Sequence, residues 1–190
     1  SFIAADTAVF GPDAICEDVD AVFFDANGDG SLDLYVVSGG TEFVEAHPIY
    51  QDRLYLNDGH GNFSKDISKL PLVSSSGSCI VSCDFDGDGV LDLFRGGRTI
   101  PDKYPYPPKS YFLENIGNGK FKDVTEEKAI GLSEIGMVCS AVWEDVNGDK
   151  SKDLIIVGEW MPITIFENQN GKLTKTDPKK YGLEQTTGWW

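Results

Sequence analysis

The chain has 190 residues, 41% of them hydrophobic and 25% charged, enough apolar material to bury a core and too much for a disordered chain. Its 31 acidic side chains against 16 basic ones give a formal charge of −15, which repels phosphate backbones and anionic lipid, excludes a nucleic-acid partner and attracts cations. No apolar run approaches the roughly 20 residues that span a bilayer, so no direct membrane insertion is expected.

Taken in chain order, residues 1–12 read as the last strand of a preceding unit; Ser1 is not an initiator methionine, which is consistent with processing or truncation. A first unit then runs over 13–73. It holds an apolar strand at 21–24, an acidic loop DANGDGSLD at 25–33, a second strand at 34–37 and a connection over 39–51. A strand ending at Leu56, an Asn/Gly turn and a strand beginning at Phe63 complete it, which is a hairpin signature. The same order recurs over 74–133, with the strand at 80–83, the loop DFDGDGVLD at 84–92 and a Pro/Tyr-rich connection over 96–110. It recurs again over 134–182, with the loop DVNGDKSKD at 145–153 and a connection reduced to a few residues around Met161 and Pro162. The acidic loops thus return roughly every 60 residues. Residues 183–190 read as the lead-in to a following unit, with Trp189 and Trp190 where an apolar first strand would begin.

Four antiparallel strands per repeat predict an all-β fold of three β-propeller blades. Propellers have four to eight blades, so three are expected to form part of a larger ring, the rest supplied by the same polypeptide or by another surface protein.

The loops carry the chemistry. Asp25, Asn27 and Asp29 stand at positions one, three and five, with Asp33 at nine, and the main chain of Ser31 at seven offers a carbonyl. Alternate oxygens in a tight loop converge on one point, the shell taken by a hard cation of calcium's size. The second loop offers Asp84, Asp86, Asp88, the main chain of Val90, and Asp92; the third offers Asp145, Asn147, Asp149, the main chain of Ser151, and Asp153. Up to three Ca2+ ions follow. An EF-hand begins alike, but it needs a bidentate Glu at position twelve and flanking helices; Val36, Arg95 and Ile156 stand there and both flanks read as strands. The second loop, with four carboxylates, is expected to bind tightest. The third, where Lys150 replaces a glycine, is expected to bind weakest.

These loops and hairpins resemble FG-GAP/VCBS repeats, the blades of the integrin α-subunit propeller and of many secreted or cell-surface bacterial proteins. The stretches GGRTIP at 96–101 and VGEWMPI at 157–163 look closer to bacterial VCBS-repeat proteins of the ASPIC/UnbV group, relatives of cartilage acidic protein. An FG pair occurs once, at Phe10-Gly11, and no blade ends in the GAP triplet; Ser38-Gly39-Gly40 and Arg95-Gly96-Gly97 stand there instead. The resemblance implies calcium clamping the first two strands of each blade, and an extracytoplasmic, secreted or surface-displayed protein.

No nucleophile elbow, P-loop or zinc-hydrolase helix is present, and the two histidines, His47 and His60, fall in loops, so no catalytic role is expected. The reading is a calcium-stabilised scaffold or a protein- or glycan-interaction module; the alternative is a non-catalytic part of a larger carbohydrate-active enzyme. Arg95, Arg98, Tyr104 and Tyr106, in a cationic and aromatic stretch of an acidic chain, are the candidates for binding a sugar or a partner peptide. Cys16, Cys79, Cys83 and Cys139 form no CxxC pair; they read as small hydrophobes, with Cys79 and Cys83 on one face of a strand and one disulfide left open.

Overall fold

The computed structural model describes residues 7–188. Those residues form three four-stranded antiparallel sheets, each a meander in chain order. The first holds β1 (Asp18–Phe24), β2 (Asp33–Ser38), β3 (Arg53–Asn57) and β4 (Phe63–Lys65). The second holds β5 (Ser76–Cys83), β6 (Asp92–Thr99), β7 (Tyr111–Asn115) and β8 (Phe121–Asp123). The third holds β9 (Met137–Glu144), β10 (Asp153–Glu159), β11 (Thr164–Asn168) and β12 (Leu173–Lys175). The all-β, three-blade expectation is met. The first strands, β1, β5 and β9, lie side by side, so the sheets stack face to face around a common inner side.

Alternation along the strands supplies a layer of core between each pair of sheets. Tyr35, Val37 and Leu54 of the first sheet meet Ile80, Leu93, Tyr111 and Leu113 of the second. Phe94 and Phe112, on the opposite face of the second sheet, meet Val138, Leu154, Ile156 and Phe166 of the third. Each fully buried Leu or Phe contributes about 1.5–3 kcal/mol. Cys79 and Cys83 do share a face, the one packed on the third sheet. All four cysteines are free thiols. Burial pushes the Cys83 thiol up to about 11, with Asp84 and Asp92 adding to the effect.

One polar group sits inside the first layer. Arg95, on β6, and Asp52, just before β3, are both fully buried and pair through Nε at 3.0 Å. Asp52 also accepts from the Tyr35 hydroxyl at 2.9 Å and Ser38 N at 3.0 Å, while Arg95 donates to Ser75 O at 2.6 Å and Ser75 Oγ at 2.8 Å. Such a pair is tolerated because every charge is answered; removing one partner of a buried pair costs about 3–5 kcal/mol.

Near the start of the chain the structure departs from expectation. Thr7–Phe10 is a helical turn, α1, followed by a 3-10 turn at Gly11–Asp13, not the end of a strand. Pro12 cannot donate to a ladder, and Phe10 serves instead as a plug, its ring 4.9 Å from Tyr55 and 5.9 Å from Phe63. Asp13 then accepts from the Tyr55 hydroxyl and Lys65 Nζ, both at 2.7 Å. At the other end Gly188 bridges to Met161 in antiparallel fashion. Residues 1–6, Trp189 and Trp190 lie outside the described residues. A second unforeseen helical turn, α2 (Thr125–Lys128), follows β8. Among the described residues no helix is long and apolar enough to cross a membrane.

Candidate metal centre

Each acidic loop is the turn between the first and second strands of a sheet, so all three loops lie at the same end of the stack. The backbone closes around the position-one carboxylate. Asp25 accepts from Gly28 N at 2.7 Å and Gly30 N at 2.8 Å, Asp84 from Gly87 N at 2.8 Å and Gly89 N at 3.1 Å, Asp145 from Gly148 N at 2.7 Å and Lys150 N at 2.9 Å. That wrap needs positive φ at positions four and six. Glycine meets the demand at Gly28 (82°) and Gly30 (86°), but in the third loop Lys150 is held at 75° with a β-carbon to accommodate. The position-five carboxylates accept from the main-chain N of position seven: Ser31 at 2.8 Å, Val90 at 2.9 Å and Ser151 at 2.7 Å. These backbone bonds hold the Asp29 and Asp149 carboxyls below the usual range, so both stay ionised.

The loops differ at position three. In the second, the ligating oxygens of Asp84, Asp86 and Asp88 all lie within 4.8 Å of one another. Two oxygens bound to one calcium at its usual 2.3–2.6 Å can be about that far apart, so the set fits such an ion as it stands. In the first, the Asn27 amide donates to Asp29 Oδ2 at 2.9 Å, and Asn147 does the same to Asp149 at 2.9 Å in the third. Those loops are closed on themselves, and a cation must break a hydrogen bond to enter. The second loop has its own counter-charge in Lys128, on α2, which reaches Asp86 at 3.3 Å and Glu114 at 2.7 Å, with the Phe85 ring below it.

Asp33, Asp92 and Asp153, at position nine, open the second strand of each sheet and are buried. Each bridges two pieces of backbone. One oxygen accepts from position two of its own loop: Ala26 N at 3.0 Å for Asp33, Phe85 N at 3.5 Å for Asp92, Val146 N at 3.0 Å for Asp153. The other accepts from Asn57 N at 2.8 Å, Asn115 N at 2.7 Å or Asn168 N at 2.8 Å, the asparagine that ends the third strand. Asp92 lies outside the converging trio. Burial pushes it up to about 7, with Asp86 and Asp88 adding to the effect against the Asn115 bond. Burial likewise raises Asp33. The position-nine carboxylates are therefore tied into the fold with or without an ion, each oxygen keeping a second lone pair.

The same asparagines reach across to the neighbouring sheet. Asn115 Nδ2 donates to Ala26 O at 2.8 Å, and Asn168 Nδ2 donates to Phe85 O at 2.6 Å. Sequence reasoning saw the asparagines only as turn residues; their recurrence in step with the loops was the available signal.

The four residues proposed for a sugar or peptide do not form one site. Arg95 is fully buried between sheets, because Asp52 lies opposite it. Arg98 and Tyr104 line a shared cavity with Glu159, to which Arg98 is ion-paired. Tyr106 is exposed and lines a different recess with Lys103 and Glu134.

Compared with known families, residues 25–94 match the model of the FG-GAP-like repeat. The match begins at the first acidic loop, takes in the second and ends on β6, somewhat more than one period of the repeat. No curated protein matches the chain.

Proposed function

We propose, with the FG-GAP-like repeat of residues 25–94 as premise, that this chain binds calcium through its acidic loops and acts as an extracytoplasmic scaffold or interaction module with no catalysis of its own. The observation that carries the reading is the convergence of Asp84, Asp86 and Asp88 within 4.8 Å, in a turn whose wrap of main-chain N–H groups around the first carboxylate recurs in its two neighbours. Asp84, Asp86 and Asp88 would hold the ion, with Asp92 supporting the loop from below; a bound cation supplies charge neutralisation and fixes the turn between β5 and β6. Burial raises Asp92, and the neighbouring Asp86 and Asp88 add to it, so a cation beside the loop would relieve the repulsive part of that shift. The first and third loops, each with an asparagine for a carboxylate, take calcium more weakly, and Lys150 makes the third the weakest.

Loops without a bidentate Glu suit the weak end of the calcium range, about 10⁻⁴–10⁻³ M, where extracellular calcium fills a site and cytosolic calcium does not. That supports the extracytoplasmic reading. Exposed apolar side chains on the outer faces of the first and third sheets, Phe23 and Val142 among them, support the presence of a neighbour, either further blades or another surface protein. Subgroup membership with the ASPIC/UnbV proteins belongs to the same proposal.

Calorimetric titration with calcium is expected to show a site tighter than millimolar that Asp84→Ala abolishes, while Asp145→Ala removes only weaker heat. Retention of the strongest site in the Asp84→Ala protein would overturn the assignment.

A further inference from the structure

The two contacts between sheets are built alike, and each is lopsided. The later sheet supplies the donor: Asn115 Nδ2 binds Ala26 O at 2.8 Å, and Asn168 Nδ2 binds Phe85 O at 2.6 Å. The earlier sheet supplies the acceptor, position two of its acidic loop, and the side chain there is covered in the process. Ala26 is 1% exposed and Phe85 4%. The turn leading into the fourth strand of the later sheet comes down on the same loop. A β-carbon on Gly119 would lie 3.6 Å from Ala26 O, and one on Gly171 only 2.9 Å from Asp86 Cβ. The second sheet thus has a donor face turned toward the sheet before it and an acceptor face turned toward the sheet after. The repeat gives its neighbours the same two faces.

The donor face of the first sheet and the acceptor face of the third are left over. Asn57 holds the place of Asn115. One N–H of its amide binds Leu32 O at 3.0 Å, as Asn115 binds Leu91 O at 3.4 Å, which leaves a second N–H with no acceptor among the described residues. Gly61 stands two residues before β4, as Gly119 does before β8, and shares its positive φ (85° and 70°), but a β-carbon there would meet nothing within 4 Å. On the third sheet Val146 holds position two of the loop. Its side chain is half-buried where Ala26 and Phe85 are buried, and its carbonyl accepts no hydrogen bond among the described residues. The apolar groups divide in the same way. Trp143, two residues before its loop, packs 6.0 Å from Phe112 of the sheet before; Phe23, at the matching place on β1, is 58% exposed. Val22 and Val81, three residues before their loops, pack on the sheet after, and their counterpart Val142 is 52% exposed.

We infer that these two outer faces are halves of one interface, and that the chain pairs head to tail with a second copy of itself. The contact continues the interface already made twice within the chain. Asn57 of one copy donates to Val146 O of the other, its β3–β4 turn settles on the third acidic loop, and Phe23 and Val142 enter the shared apolar layer. An unrelated partner would have to meet a donor on one face and an acceptor on the other; a second copy carries both. Such a contact is heterologous, and a single one leaves each copy with its other face still to fill. Two copies joined at both faces have none left over, and their six sheets fall within the four to eight that close a propeller ring. The pairing rests on the reading that the outer faces require a neighbour, and it fixes which neighbour and in which direction.

The test is sedimentation of the full 190-residue chain in a fixed excess of calcium, with one variant on each face. Phe23→Asp spoils the donor face and Val142→Asp the acceptor face. Both side chains are exposed, so each variant should keep its fold, which its circular dichroism spectrum checks. The parent should sediment as a dimer and each variant alone as a monomer. An equimolar mixture should recover a dimer held by one contact, because the intact face of each variant meets the intact face of the other. Asn57→Ala added to the Val142→Asp chain should raise the Kd of the mixed pair about threefold to tenfold. Added to the Phe23→Asp chain, whose first sheet takes no part, it should leave that Kd unchanged. A variant that dimerises alone, a mixture of folded variants that stays monomeric, or equal effects of Asn57→Ala in the two chains would each overturn the head-to-tail pairing. In those cases a self-associating parent would still show that the faces need a neighbour, whereas a monomeric parent would remove both readings. Calcium occupancy is measured separately by titration, so none of these outcomes bears on the acidic loops.

Discussion

The residue that most directly sets the chemistry of the second loop is not in it. Lys128 stands 3.3 Å from Asp86 and competes for the charge a divalent ion would meet. Lys128→Met is expected to tighten calcium binding about threefold to tenfold at low salt, less at high salt, as read by titration calorimetry. An unchanged Kd with an intact fold would mean that the ammonium is already displaced when the ion enters. The converging trio Asp84, Asp86 and Asp88 was legible from the sequence as acids at alternate positions, with glycine where φ is positive. Lys128 was not, because it lies 42 residues from Asp86, a separation that carries no local signal. A second residue gives a pH test. Burial works to raise Asp123, but hydrogen bonds from Thr125 and Lys109 outweigh it and leave its carboxyl below the usual range. A folded value below the unfolded one contributes stability that is present above the ordinary carboxylate range and is lost as pH falls through the lowered value. Asp123→Asn should therefore melt below the parent at neutral pH, with the gap closing in strong acid. A constant gap across pH would show that packing, not ionisation, is at work.

Among elements, the third strand of each sheet has the widest reach. It ends in an asparagine whose main-chain N binds the buried Asp33, Asp92 or Asp153 of its own sheet. In β7 and β11 the side chain also holds the loop of the sheet before. Asn168→Ala leaves Phe85 O without that donor and is expected to cost about 1–3 kcal/mol. Because Phe85 is position two of the second loop, the same change should weaken calcium there, whereas Asn57→Ala should leave it unaltered: Asn57 Nδ2 binds only Leu32 O of its own sheet at 3.0 Å. Equal effects from the two variants, read by thermal melts and calcium titration, would remove the special role of the cross-sheet bond. The strands and hairpins were readable from alternation and Asn/Gly turns. Arg95 was misread as a surface cation because its position within the Pro/Tyr-rich stretch looked like loop, while it belongs to β6 and faces Asp52.

For the whole molecule, the periodic pattern was enough to give three stacked sheets, since each sheet's two apolar faces need a partner and the repeats supply one between each pair. What covers the outer faces was not readable. The α1 turn, with Phe10 on Tyr55, shields part of the first sheet, and Tyr181 with Lys180 reaches Glu167 on the third. Phe23 at 58% and Val142 at 52% exposure remain in the open. The 190-residue chain alone is expected to self-associate in sedimentation velocity, and Phe23→Ser should shift it toward monomer; a parent that sediments as a compact monomer would mean that the open faces need no neighbour.

The cross-sheet asparagines also have a mechanical consequence. No cystine ties one sheet to the next among the four thiols, so tension applied at the two ends would be borne by the inter-sheet packing, by the Arg95–Asp52 and Arg98–Glu159 pairs and by single hydrogen bonds such as those from Asn115 and Asn168. Such a stack should come apart one sheet at a time, each rupture releasing roughly 60 residues, a contour length of about 200 Å. Calcium would stiffen the turn that joins the first two strands of each sheet, so the force at every step, and not its length, should depend on the ion.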